Sequence, residues 1–289
     1  MSLPRRVLVL GGTAEARHLA ADVVAAGVPV TSSLAGRVSR PRLPVGDVRI
    51  GGFGGPDRLA GWLRDHRVAA VVDATHPFAE RISASAIAAC DSAGVPLLRL
   101  ERPGWSERQG DRWEWVDDLH QAAAAVPRLG SRILLTTGRQ GLAAFADVAE
   151  PWFLVRCVEP PDPPLPPRHR VLLDRGPYSV EGELGLIDEH RIELVVTKDS
   201  GGAHTRAKLD AARLRGLTVI VVRRPPRPDV PTVGAPGEAL AWALESCDLG
   251  PRAEAIRDQS TYRLPPRTES GGPRTFPWCA GHGEARGRR

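Results

Sequence analysis

The sequence is poor in cysteine. Cys90, Cys157, Cys247 and Cys279 are scattered along 289 residues. None forms a C-x-x-C pair, so neither a zinc ribbon nor a disulfide framework organises the chain. A reduced, cytoplasmic setting and no metal are expected. Long hydrophobic runs are missing as well. Nothing approaches the ~20 apolar residues of a membrane span. The opening MSLPRRVLVLGG has two arginines before an apolar run. That run is short and meets glycines rather than a small-residue cleavage site, so it is expected to be a first strand. The body also lacks a one-sided charge. The net charge is +5, but residues 250–289 hold eight arginines against four acids and so carry +4 of it. What remains gives no field for a nucleic acid. The tail is rich in Pro, Gly and Arg without periodicity. It is expected to be disordered, a functional arm being the alternative.

What the chain does have is alternation. RVLVLGG reads as a strand, and AEARHLAADVVAAG as a helix with a glycine stop. VPVTSSLAG, DVRIGGFGG, VAAVVDATHP and VPLLRLERP continue as strands, separated by helical patterns. A second series starts near Ser131 with SRILLTTGRQGL, then WFLVRCVEP, IELVVTKDSGG and LTVIVVRRP. Strand–helix–strand order implies α/β architecture with mainly parallel sheets covered on both faces. The stretch from Val71 and the stretch from Val195 both read strand, polar loop, helix, glycine, strand, Arg-Pro. Two Rossmann-like lobes follow, by duplication or because such units look alike. The expected division is 1–110 as the first lobe, 111–130 as a connector, 131–249 as the second lobe and 250–289 as the tail. EPPDPPLPPRHR, from Glu159, is expected to be a stiff loop.

In open α/β sheets, ligands bind beyond the carboxyl ends of the strands. Four strand ends carry polar or glycine-rich turns: Gly11-Gly12-Thr13, Thr75-His76-Pro77, Thr137-Gly138-Arg139 and Lys198-Asp199-Ser200-Gly201. The first has the form of a phosphate turn, with glycines for close approach and a helix start, Ala14 and Glu15, supplying N–H groups. It is not G-x-G-x-x-G, and a plain tight turn is the other reading. The second strand ends in TSSLAGRVSR, with Ser32, Ser33, Arg37 and Arg40 and no acid. A dinucleotide bound there would be NADP rather than NAD. His76 is either a capping histidine or a group that donates a proton to a substrate or polarises it. Lys198 and Asp199 either pair with each other or face a ligand. Arg139 opens a helix, where a cation opposes the dipole, and this favours anion binding. Lys208 follows the DSGG turn on a helix.

Taken in order, LVLGGTAEAR, TSSLAGR, GGFGG, VVDATHPFA, LLRLERP, LLTTGRQGL and VVTKDSGG with KLDAA resemble the precorrin-6A reductase family of corrin biosynthesis. The resemblance runs from about Arg5 to about Asp248. It implies an NADPH-dependent oxidoreductase acting on an anionic tetrapyrrole, precorrin-6A, to give precorrin-6B, with a ligand cleft between the lobes. With that activity, the turns at the strand ends and the end of the second strand make Gly11, Gly12, Thr13, Ala14, Glu15, Ser32, Ser33, Arg37 and Thr75 the expected cofactor site. Thr137, Gly138, Arg139, Lys198, Asp199, Ser200, Gly201 and Lys208 are the expected substrate site, and His76 the catalytic candidate. Other enzymes of the cobalamin pathway are open as partners. The alternatives are a reductase of cobalt-precorrin-6A, an NADP-binding regulator without turnover, or a transferase on a similar scaffold.

Overall fold

The computed structural model describes residues 5–36 and 42–247. In chain order the strands are β1 (Arg6–Leu10), β2 (Val30–Leu34), β3 (Asp47–Ile50), β4 (Val68–Asp73), β5 (Leu97–Leu100) and β6 (Trp113–Val116). They continue with β7 (Arg132–Leu135), β8 (Trp152–Cys157), β9 (His169–Leu173), β10 (Leu194–Lys198), β11 (Thr218–Val222) and β12 (Thr232–Val233). The α-helices are α1 (Ala14–Ala25), α2 (Pro56–Asp65), α3 (Glu80–Ala93), α4 (Leu119–Leu129), α5 (Val180–His190), α6 (Ala207–Leu214) and α7 (Pro236–Ser246). No helix among the described residues is long and apolar enough to cross a membrane.

The strands form two six-stranded sheets, ordered β12-β5-β4-β1-β2-β3 and β6-β11-β10-β7-β8-β9. Every pairing among them is parallel. The expected pair of Rossmann-like lobes is borne out. Alternation along each central strand explains the layering. Val7 and Val9 of β1 pack against α1 and α7, while Leu8 and Leu10 pack against α2 and α3. In the second sheet Ile133 and Leu135 face α4, and Leu134 faces α5 and α6. Each such side chain, fully buried, contributes about 1.5–3 kcal/mol.

The lobe boundaries differ from the expected ones. Residues 111–130 are no connector: β6 pairs with β11, and Ala122 and Val126 of α4 sit in the second core. Nor does the second lobe keep the rest of the chain. Thr232 of β12 pairs with Arg99 of β5, and Ala239, Leu240, Ala243 and Leu244 of α7 complete the first core. The chain therefore crosses between lobes twice, once after β5 and once after β11. A strand's period shows its two faces, but not which sheet edge will accept it. The tail beyond residue 247, with Cys279, lies outside the described residues.

Strand order reverses between β1 and β4 in one sheet and between β7 and β10 in the other. Such switch points open a crevice at the carboxyl ends of the strands. All four turns singled out in the sequence border one of them.

Candidate active site at the seam between the lobes

At the first switch point, Gly11 N donates to Ser33 O at 3.0 Å. Gly12 has φ +124°, and a Cβ there would meet nothing within 4 Å. Thr13 caps α1: its Oγ1 accepts from Ala16 N at 3.1 Å and donates to Ala74 O at 2.8 Å. The threonine hydroxyl thus ties the β1 turn to the β4 turn. The N–H groups of Ala14 and Glu15 begin the helix without intrahelical acceptors, at its positive end. An open glycine beside those donors fits a dinucleotide phosphate. The Glu15 carboxylate is held by Arg102 Nη1 at 2.6 Å.

Ser32 and Ser33 are buried within β2, and Ser32 Oγ has no hydrogen-bond partner. They sit inside the strand rather than past its end, because Leu34 still belongs to it. Arg37 and Arg40 lie outside the described residues. Thr75 serves its own turn: its N and Oγ1 donate to Asp73 Oδ1 at 3.2 and 2.6 Å. Ser83 Oγ donates to the other oxygen of Asp73 at 2.6 Å.

At the second switch point, Gly138 has φ +76° and also faces open space. Thr137 is buried, its hydroxyl without a hydrogen-bond partner and close to Gly141. Arg139 lies 3.8 Å from Glu159 and lines a cavity of about 310 Å³ with Gln140, Asp162 and Pro163. The proline-rich loop therefore walls one side of this turn. Lys198 Nζ stands 5.0 Å over the Phe78 ring of the other lobe, and burial lowers its pKa. Asp199 does not pair with Lys198. It takes Arg224 Nε at 3.2 Å and the Trp105 N–H at 2.9 Å. Ser200 O accepts from Arg102 Nε at 2.6 Å, so one guanidinium bridges Glu15 in the first lobe and Ser200 in the second.

Lys208 is not part of this crevice. It is 4 % exposed, with Nζ 5.1 Å over the Trp105 ring, behind the second sheet. Burial, and then the charge of Arg156, pushes its pKa down to about 7. Cys90 and Cys157 are buried, and burial pushes the Cys90 thiol up to about 12, so it is no nucleophile.

His76 projects from the β4 turn with its surface open to solvent. Its Nδ1 accepts the Phe78 N–H at 3.3 Å, and its ring lies 5.7 Å from the Phe78 ring. The mass of protein around the ring lowers its pKa, as do Arg102, Lys198, Arg224 and Arg227, to about 3.

A family model described as precorrin-6x reductase CbiJ/CobK matches residues 6–244. This chain belongs to that family. It is 55 % identical over 239 residues to the precorrin-6A reductase of Rhodococcus erythropolis, covering 82 % of this chain and 96 % of that one. The precorrin-6A reductase of Rhodobacter capsulatus is 45 % identical, over 77 % of this chain and 89 % of its own. Among solved structures, CobK precorrin-6A reductase superposes with a TM-score of 0.80 at 42 % identity, covering 86 % of this chain and 99 % of its own.

In this member of the family the two crossings are clamped together by residues the sequence reading passed over. Glu101 accepts from Arg224 Nη1 at 2.7 Å and from Arg227 Nη1 at 2.8 Å. Arg227 Nη2 continues to Ser83 Oγ at 2.7 Å, and so to Asp73. The signal was there: Glu-Arg-Pro follows β5 and Arg-Arg-Pro follows β11, at the two crossings. Gly201 sits where they meet. Its φ is +67°, and a Cβ would collide with Pro103 O and Arg224 Nη2. Gly201→Ala is expected to lower the unfolding free energy by about 2–4 kcal/mol, from backbone strain and overpacking together. Urea unfolding followed by tryptophan fluorescence measures it, and a wild-type midpoint would contradict the clamp.

Proposed function

We propose that this chain reduces precorrin-6A to precorrin-6B with NADPH, in the corrin branch of cobalamin biosynthesis. Family membership makes it an oxidoreductase acting on a tetrapyrrole macrocycle and implies a nicotinamide cofactor. One observation carries the finer reading. The open glycine turn of the first lobe and the cationic turns of the second border a shared seam. A dinucleotide and a polycarboxylate can therefore lie side by side. NADPH, when bound, supplies the hydride. Gly12 and the start of α1 would hold its pyrophosphate, and Arg37 its 2′-phosphate. Ser32 and Ser33, buried in β2, leave this reading. Arg139 and Lys198 would bind macrocycle carboxylates by charge-assisted hydrogen bonds.

The metal-free substrate is favoured over the cobalt form. Five relatives named precorrin-6A reductase are 43–55 % identical to this chain. Three named cobalt-precorrin-6A reductase are 27–31 % identical. Mixing the protein, NADPH and metal-free precorrin-6A should consume the nicotinamide absorbance in step with the macrocycle. Unchanged absorbance would indicate a sensor that binds without turnover. NADPH should outperform NADH, because no acid stands near the end of β2 to meet a ribose hydroxyl. Arg37→Ala should weaken NADPH binding roughly tenfold or more and hardly change NADH. Equal loss for both cofactors in isothermal titration would remove Arg37 from the site.

A further inference from the structure

The state of the His76 ring can be read from its surroundings. A backbone N–H only donates, so the Phe78 N–H at 3.3 Å requires a lone pair on Nδ1. In the neutral ring the proton then sits on Nε2. Protonating the ring would set a second N–H against that of Phe78 and break the bond. The surrounding charges act in the same direction. Arg102, Lys198, Arg224 and Arg227 each disfavour a cation on the ring. The nearby carboxylates are engaged elsewhere: Glu15 by Arg102, Glu101 by Arg224 and Arg227, Asp73 by Thr75 and Ser83, and Asp199 by Arg224. Glu80, at the start of α3, acts on Lys198.

We propose that His76 serves as a neutral hydrogen-bond donor, presenting Nε2–H to a ring nitrogen of the macrocycle, and that the proton completing the reduction comes from water. The proposal rests on the reading that a tetrapyrrole enters this seam. Arginines and lysines already suit the carboxylates, whereas a neutral donor suits a neutral acceptor. As hydride adds to one carbon of the double bond, the electron pair of that bond passes through the conjugated system to the ring nitrogen. The hydrogen bond from Nε2 strengthens as that negative charge develops, so it favours the transition state over the ground state. Water then protonates the other carbon and is left as hydroxide; the nicotinamide, when bound, would supply the hydride.

Nitrogen-15 NMR of imidazole-labelled protein, with His76 assigned by comparison with His76→Gln, tests this in the free protein. It also tests it with NADP⁺ and a metal-free polycarboxylate porphyrin added. The expected spectrum shows a proton on Nε2, none on Nδ1, and no titration between pH 5 and 8, with or without the ligands. A ring that titrates near its ordinary pKa, or one that becomes charged when porphyrin binds, overturns the donor role. A porphyrin that fails to bind overturns the functional reading, and the donor role with it, whatever the tautomer. In turnover, His76→Ala should lose roughly tenfold in kcat, the worth of one neutral hydrogen bond. His76→Gln, which keeps an N–H donor, should recover most of that loss. A loss of ~10²–10⁴-fold in both variants would instead mark a proton donor.

Discussion

Gly12→Ala is expected to raise the NADP⁺ dissociation constant about a hundredfold while leaving the protein folded. Gly12 holds φ +124°, a conformation that L side chains rarely adopt, and the substitution strains the turn by about 1–3 kcal/mol. The added methyl has no neighbour within 4 Å, so it would project into the open crevice where phosphate oxygens are proposed to lie. Losing one or two charge-assisted contacts at about 1.5–3 kcal/mol each accounts for the hundredfold change. Calorimetric titration with NADP⁺ measures it, and the melting temperature confirms that folding survives. Gly138→Ala makes the matching change in the second lobe, at φ +76° and again facing open space. It should raise KM for the macrocycle and spare NADP⁺. An NADP⁺ affinity unchanged by Gly12→Ala, or lost with Gly138→Ala instead, would reassign the two ligands between the lobes.

The second large effect concerns stability. Behind the second sheet, Arg156 Nη1 lies 2.8 Å from Glu183 Oε1, and both side chains are almost wholly buried. Lys208 is sealed beside them, its pKa depressed by burial. Glu183→Ala would leave Arg156 uncompensated and is expected to cost about 3–5 kcal/mol. Lys208→Met should act oppositely. It keeps the length of the side chain against Trp105 and removes an amine that burial disfavours, for a gain of about 1–4 kcal/mol at neutral pH. The pH dependence has a definite sign. The folded-state pKa is about 7, against an ordinary 10.5. Between those values the unfolded chain binds the extra proton, so stability rises with pH across that window. Below about 7 both states are protonated and the penalty is complete. Urea midpoints for the wild type should climb between pH 7 and 9, and those of Lys208→Met should climb less. Parallel slopes would show that Lys208 keeps an ordinary pKa.

His76 and Lys208 show how differently a local pattern can inform. The polar turn around His76 follows an apolar run that must be a strand, so its place at a carboxyl end was legible. Its ring chemistry was not, because the burial that lowers its pKa, and then the cations at residues 102, 198, 224 and 227, come from distant parts of the chain. Lys208, on a short helix after a glycine turn, was expected to reach a ligand. Instead the helix rolls that face onto Trp105, which arrives from the first crossing. No spacing within KLDAA reveals which face another segment will cover.

The sequence by itself determined the strand–helix alternation, the parallel sheets, the four strand-end turns and the family. Each follows from residue period, from glycines where a strand stops, or from motifs kept in order. Only the tertiary structure decided which sheet receives β6, β12 and α7, and which charges meet. Arg102 and Ser200 lie 98 residues apart, and Arg224 and Glu101 lie 123 apart. A polar contact across such a separation leaves no periodic trace, because each side chain would look the same on a solvated surface. Folding selects the partner by bringing two strand ends to one seam, where burial makes an unpaired charge costly.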